Sequence, residues 1–225
     1  MHNEHLLLLL LFIIIFYLIF IDSIKLNKRF YTINETYSIL KTFNNDNNFN
    51  KIKNEVNNIM DSNLWEDWPE YNLLNKNIDK WTIFPFMALG KWSKKNVDKC
   101  PTIFKLLNKV PNLVNASLSR FGPNTSIVPH QGWWKLSNYV LRCHLGIIIP
   151  GPAYIYCENE KVRQEVGKWI IFDDSKEHYA DNHSLEDRIV LILDIKRPLN
   201  VEIGKSQIED TKELDIFLKA YNENI

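Results

Sequence analysis

The chain has 225 residues, enough for one domain of ordinary size plus an appendage. Its 45% hydrophobic and 12% aromatic content supplies a real core, and its 27 Lys+Arg against 27 Asp+Glu exclude a broad nucleic-acid footprint. Three cysteines (Cys100, Cys143 and Cys157), with no CxxC, exclude a disulfide framework; a Cys143–Cys157 bridge and three buried thiols both stay open.

Residues 6–21, LLLLLLFIIIFYLIFI, carry no charge, Pro or Gly. As a helix the run spans about 24 Å, slightly less than a bilayer core of about 30 Å. It lacks the basic flank and small-residue cleavage site of a signal peptide, so it predicts a retained N-terminal transmembrane helix. Lys25, Lys28 and Arg29 follow it. The positive-inside rule then favours a cytoplasmic catalytic side, with the lumenal side as alternative. Residues 43–63 are polar and Asn-rich, a solvated helix or a loose spacer. Globular character is expected from Leu64, with Trp65, Trp68, Tyr71, Trp81, Phe84 and Phe86 as core or rim aromatics. Residues 102–109 suit a short amphipathic helix behind Pro101.

From Leu113 the pattern changes to short β-branched and aromatic strands: LVNASLSRF, TSIVP, NYVLRCHLGIII, AYIYC, KWIIFDD and RIVLILDIK. Turn signals at Gly122-Pro123-Asn124, Pro150-Gly151-Pro152 and Asp181-Asn182 separate them. With no long helix between them, they predict an antiparallel sandwich or barrel. Residues 206–222 read as a closing helix. The chain thus divides into an anchor (1–24), a polar spacer or helical segment (25–63), a flanking part (64–112), a β core (113–198) and a helical tail (199–225).

Four of the six His lie in the strand-rich region: His130, His144, His178 and His183. His130 ends SIVPH and His178 ends GKWIIFDDSKEH. Two imidazoles at strand ends can converge at the mouth of a double-stranded barrel, and neutral imidazole is a good ligand for iron(II). The carboxylate that usually follows the first His by two residues is absent. That position is Gly132, and no Asp or Glu occurs from Lys99 to Cys157.

The stretches SLSRFGPNTSIVPH, VLRCHLGIIIP, GKWIIFDDSKEHYADN and RIVLILDIKRP, in this order over about 80 residues, resemble the aspartyl/asparaginyl β-hydroxylase family. The upstream NVDKCPTIFKLL resembles it too. The resemblance implies a mainly β double-stranded β-helix (jelly-roll, cupin-like) with flanking helices. It also implies an iron(II)- and 2-oxoglutarate-dependent dioxygenase using O2. Family members bind iron with two His and a Gly in place of the carboxylate, which implies His130 and His178 as metal ligands. Arg188, ten residues after His178, then matches the cation that holds the distal carboxylate of 2-oxoglutarate, a task suited to a bidentate guanidinium. Ser119 matches the Ser assisting there. Arg142 and His144 match the pair at the carboxylate near the metal. His183 has no counterpart, and Asp173 and Asp174 read as turn-shaping residues. GWWKLSNYVL, with Trp133 and Trp134, is about three residues longer than the family pattern and affects either substrate choice or local packing.

The expected reaction is hydroxylation of a C–H bond, first at the β-carbon of peptidyl Asp or Asn. A lipid acyl chain is the alternative, as in similar membrane-associated bacterial enzymes. The partners expected are a peptide or lipid substrate and a membrane, with no nucleic acid. A non-catalytic ligand-binding barrel and a cupin-type isomerase are rivals that the full set of six site residues disfavours.

Overall fold

The computed structural model describes residues 5, 8–17, 28–76 and 80–223. Residues 8–17 are helical, with exposed apolar side chains. Ten helical residues reach about 15 Å, half of a bilayer core of about 30 Å. No helix among the described residues is long and apolar enough to cross a membrane, so the expected transmembrane helix has no counterpart among them. Residues 6, 7 and 18–27, which complete the apolar run and its basic flank, lie outside the described residues.

The polar stretch read as a solvated helix or a loose spacer is a helix, packed on the domain rather than solvated. Asn45 caps α1 (Asp46–Asn58), its side chain accepting from the Asn48 N–H at 3.0 Å. Ile52 and Val56, one helical turn apart, are fully buried. Burial of two such side chains contributes roughly 1.5–3 kcal/mol each, which a solvated helix would forgo. Glu55 of the same helix accepts from the N–H groups of Thr102 and Ile103 at 2.7 and 3.0 Å. It thereby caps α2 (Pro101–Leu107), where Pro101 occupies a first-turn position that needs no N–H. Ordered structure also begins well before Leu64. Phe30–Tyr31 (β1) is paired in the sheet, and the Tyr37 hydroxyl lies within hydrogen-bond reach of the Ile195 and Lys196 carbonyls.

Ten further strands follow: β2 (Glu66–Asp67), β3 (Trp81–Ala88), β4 (Lys91–Trp92), β5 (Leu113–Phe121), β6 (Val140–Ile148), β7 (Ala153–Cys157), β8 (Glu160–Arg163), β9 (Trp169–Phe172), β10 (His178–Asn182) and β11 (Arg188–Lys196). The larger sheet runs β1-β9-β6-β11-β5-β3-β2 with β4 on β3, and the smaller runs β10-β7-β8. The extended segment 125–130 completes the smaller sheet beside β10. The Ile127 N–H donates to the Ala180 carbonyl at 3.1 Å, and His130 and His178 exchange backbone hydrogen bonds of 3.0 and 2.8 Å. From Leu113 to Lys196 the core is therefore β5-β11-β6-β9 facing segment 125–130, β10, β7 and β8, the strand order of a jelly roll. The expected antiparallel β architecture with flanking helices is met.

Period-two alternation positions the site. On β5, β6 and β11, Leu118, Leu141, Cys143, Leu145, Leu191 and Leu193 point outward and bury against α1 and α2. The intervening Ser119, Arg142, His144, Arg188 and Asp194 point between the sheets. There a smaller apolar layer of Phe121, Ile127, Ile155, Ile170, Phe172 and Ala180 lies beneath them. All three cysteines are buried free thiols, so no Cys143–Cys157 bridge exists.

Candidate active site

His130 and His178 meet because segment 125–130 and β10 are hydrogen-bonded at that pair; their ring centroids are 4.4 Å apart. Each Nδ1 lies against a backbone carbonyl, Val128 O at 2.9 Å for His130 and Lys176 O at 2.8 Å for His178. A carbonyl oxygen only accepts, so each Nδ1 carries a proton, and in a neutral ring Nε2 then presents a lone pair. Burial first, then the neighbouring His178, lower the His130 pKa to about 4, which keeps this imidazole neutral.

Asp174 is the residue whose role sequence reasoning missed. Asp173 does shape the turn: its carboxylate accepts from the Ser175 N–H and Oγ and pairs with Arg197. Asp174 instead turns into the site. Its fully buried Oδ1 lies 2.6 Å from Arg142 Nη1 and 3.2 Å from His178 Nε2, and neither carboxylate oxygen has a hydrogen-bond donor at good angles. Burial alone would raise its pKa; the Arg142 charge, then His178, outweigh burial and hold it well below the usual carboxylate range. Gly132 makes room for it, because a Cβ there would stand 2.2 Å from Asp174 Oδ2. The glycine's space is thus filled by a carboxylate from elsewhere in the chain, a relation invisible in the linear order.

Arg142 is held by acids more firmly than expected. Its Nε and Nη2 bond Asp194 at 2.8 and 3.0 Å while Nη1 meets Asp174. Burial would lower its pKa, but Asp174 and Asp194 together raise it. The guanidinium is therefore a clamp between two carboxylates rather than a free anion receptor.

Arg188 is the opposite case. It is 1% exposed, its guanidinium carbon lies 4.4 Å from the Phe121 ring centroid, and both terminal nitrogens lack a partner. Burial pulls its pKa down, with Asp181 opposing weakly. Ser119 faces the same small cavity of about 30 Å³, and its Oγ accepts from Trp81 Nε1 at 3.1 Å. His130, Arg142, His144 and His178 complete its walls, so all six residues singled out from the sequence line one cavity. His144 is buried with Nε2 unpartnered; burial, then the Arg188 charge, lower its pKa well below the ordinary value. His183 lies outside the site, exposed and 2.9 Å from Asp181.

The residues fit an iron(II) and 2-oxoglutarate site in three respects. Two imidazoles line one cavity beside an acceptor-only carboxylate, a set suited to a cation. Two buried guanidinium nitrogens and an imidazole nitrogen lack partners, a set that calls for an anion. The small cavity is large enough for a carboxylate-sized group. Among the described residues no set of three or more His, Cys, Asp or Glu side chains is arranged to hold a metal.

A larger cleft of about 420 Å³ opens from His130, Arg142 and Asp174 toward solvent. Its walls are mostly apolar, including Trp68, Leu73, Ile83, Met87, Trp133 and Leu136. The chain after β11 closes one side. Ser206 is fixed to Gly132 and Asn138, and α3 (Lys212–Glu223) brings Leu214 and Phe217 to the cleft. The inserted Trp133-Trp134 meets this tail: the Trp134 N–H donates to Ile208 O at 2.8 Å and Nε1 reaches Glu209. The insertion therefore helps shape the cleft.

On a jelly roll, paired imidazoles and a buried guanidinium whose two terminal nitrogens lack partners share one cavity. A family model described as "Aspartyl/Asparaginyl beta-hydroxylase" matches residues 46–198, and the chain belongs to that family. It is 37% identical over 123 residues to an ornithine lipid ester-linked acyl 2-hydroxylase from Rhizobium tropici, covering 53% of this chain and 43% of that protein. It is 31% identical over 157 residues to the human aspartyl/asparaginyl beta-hydroxylase, covering 67% of this chain and 20% of that protein. The chain thus spans less than half the length of these relatives. A solved 2OG-Fe(II) oxygenase family oxidoreductase from Burkholderia pseudomallei overlaps at TM-score 0.48 and 11% identity, covering 68% of this chain and 81% of that one.

Proposed function

We propose that this chain is an iron(II)- and 2-oxoglutarate-dependent dioxygenase that hydroxylates a C–H bond, with the β-carbon of peptidyl Asp or Asn as the first substrate reading. The observation that carries it is the meeting of the His130 and His178 rings on one cavity with Arg188, whose two terminal guanidinium nitrogens lack partners. His130 and His178 would hold the iron. Arg188 and Ser119 would hold the distal carboxylate of 2-oxoglutarate, and His144 would donate to the bound cosubstrate. When bound, iron would let O2 act as the oxidant, with 2-oxoglutarate as co-reductant: one oxygen atom would enter the C–H bond and the other succinate, with release of carbon dioxide. Asp174, unprotonated and ion-paired with Arg142, would place a negative charge beside the iron position, 3.2 Å from His178 Nε2. The apolar layer of Phe121, Phe172 and Ile155 limits water at the cosubstrate end.

A specific observation favours the second substrate reading, a lipid acyl chain. The cleft leading to the site is lined mainly by aromatic and aliphatic side chains, which suit a hydrocarbon. The Rhizobium tropici relative is named for acyl hydroxylation. Residues 1–24 would anchor the chain to a membrane, with Lys25, Lys28 and Arg29 favouring a cytoplasmic catalytic side; protease protection of sealed vesicles tests the side.

The reaction is tested with the full chain in detergent, iron(II), 2-oxoglutarate and ascorbate. Succinate should form in an iron-dependent manner and vanish in His130→Ala and His178→Ala. Iron-loaded protein that neither binds nor consumes 2-oxoglutarate refutes the proposal. A peptide and lipid panel, read by mass spectrometry for the gain of one oxygen, separates the two substrate readings.

A further inference from the structure

One buried polar residue that none of these roles uses is Gln164, 2% exposed at the end of β8. Backbone geometry delivers it. The segment after β8 crosses β6 so closely that a Cβ on Gly146 would stand 2.2 Å from the Glu165 carbonyl oxygen, so glycine is required there. The Gly167 N–H donates to Gly146 O at 2.9 Å, and the Gln164 N–H donates to Ala153 O at 2.8 Å. These bonds lock the segment over the cavity end of β6 and β11.

The Gln164 side chain bridges two of the residues facing that cavity. Arg188 Nε donates to Gln164 Oε1 at 2.8 Å, and Gln164 Nε2 lies 3.5 Å from His144 Nδ1. The direction of this relay follows from donor inventory alone. A guanidinium can only donate, so the amide oxygen must face Arg188 and the amide N–H groups must face His144. An N–H facing Nδ1 requires Nδ1 to accept, which leaves the imidazole proton on Nε2. That atom is buried, unpartnered and on the cavity wall, as are both terminal nitrogens of Arg188. From this geometry we propose that Gln164 is a positioning residue for the dicarboxylate: it turns the Arg188 fork and the His144 Nε2–H together toward the cavity. The neutral state of His144, enforced by burial and by the Arg188 charge, makes the choice of tautomer meaningful. This role rests on the dioxygenase reading for the identity of the anion, but not for the tautomer.

Gln164→Glu separates positioning from packing. The variant keeps the side chain's size and its bond to Arg188 Nε, so the fold is retained. It loses the donor toward His144 and places a negative charge on the guanidinium. Nitrogen-15 NMR of the metal-free, ligand-free full chain in detergent should show His144 protonated at Nε2, with His144→Asn identifying its signals. In Gln164→Glu the Nδ1 should be protonated. Calorimetry with manganese(II) in place of iron and without oxygen should show 2-oxoglutarate binding weakened about tenfold or more, the loss expected for a compromised charged hydrogen bond. His144 protonated at Nδ1 in the unaltered protein, or a tautomer and affinity both unchanged in Gln164→Glu, overturns the proposal. Absence of 2-oxoglutarate binding in the unaltered protein would defeat the dioxygenase reading instead, and the tautomer would still decide the role of Gln164.

Discussion

Gly132→Ala is the most direct probe of how this site is built. The added Cβ would stand 2.2 Å from Asp174 Oδ2 and 2.7 Å from Ser137 Cβ, so something must move by about 1 Å to reach ordinary contact. Ser137 is poorly placed to yield, because its Oγ bonds the carbonyls of Gly132 and Trp133 at 2.9 Å each. Asp174 must therefore shift against its ion pair with Arg142. Overpacking of this kind costs about 1–3 kcal/mol, and complete rupture of a buried pair about 3–5 kcal/mol. A loss of roughly 2–3 kcal/mol corresponds to a fall in Tm of about 4–12 °C for a chain of this size. Thermal denaturation of the metal-free protein measures it, and anaerobic iron titration should show weaker binding because the His178 environment is disturbed. Gly132→Asp, which puts a carboxylate at the usual ligand position, should bind iron no better, since two carboxylates would compete for one space. In an Asp174→Ala background the cost of Gly132→Ala should shrink by at least about 1 kcal/mol, since the first colliding atom is gone. A Gly132→Ala protein within about 0.5 kcal/mol of the parent, with no coupling to Asp174, would refute the reasoning.

Arg188→Met should abolish 2-oxoglutarate binding while changing the ligand-free Tm little, because removing a buried charge without an ion-pair partner offsets the loss of its hydrogen bond to Gln164; a large drop in Tm would contradict this. Metal-free protein should lose stability as pH falls from 6.5 to 4. Over that window the unfolded chain takes up a proton that folded His130, with its pKa lowered to about 4, refuses. His130 alone accounts for a loss of about 3 kcal/mol, and denaturant melts of His130→Asn should show a flatter profile. Deleting residues 212–225 removes Leu214 and Phe217 from the cleft. It should lower stability by about 2 kcal/mol or more and create binding of a hydrophobic dye; a truncated protein that binds no dye would show that the tail does not cover apolar surface.

Much of the β core was legible. LVNASLSRF and RIVLILDIK coincide with β5 and β11, and NYVLRCHLGIII and AYIYC contain β6 and β7. Apolar runs between turn signals leave few alternatives once period-two alternation buries one face. The strand WTIFPFMA, now β3, escaped because Pro85 interrupts it; its register shifts between Pro85 and Met87 to accommodate the missing donor. The packing of helix α1 escaped because Asn-rich composition hides an apolar stripe of few residues. Ile52 and Val56 count because a neighbouring surface exists for them, and that surface is built by strands far along the chain.

The site divides along the same line. Residue types, their order and the resemblance they carry named His130, His178, Arg188, Ser119, Arg142 and His144, and the structure gathers all six around one cavity. Strand alternation lets a sequence say which side chains share a face, so that much is local information. Tertiary structure alone decided that Asp174 fills the space above Gly132, that Arg142 is gripped by Asp194 and Asp174, and that Gln164 links Arg188 to His144. Each of these pairs is 20 to 52 residues apart in the chain. Their contacts arise from which strands lie side by side and which sheets face one another, and no spacing rule along the sequence encodes that.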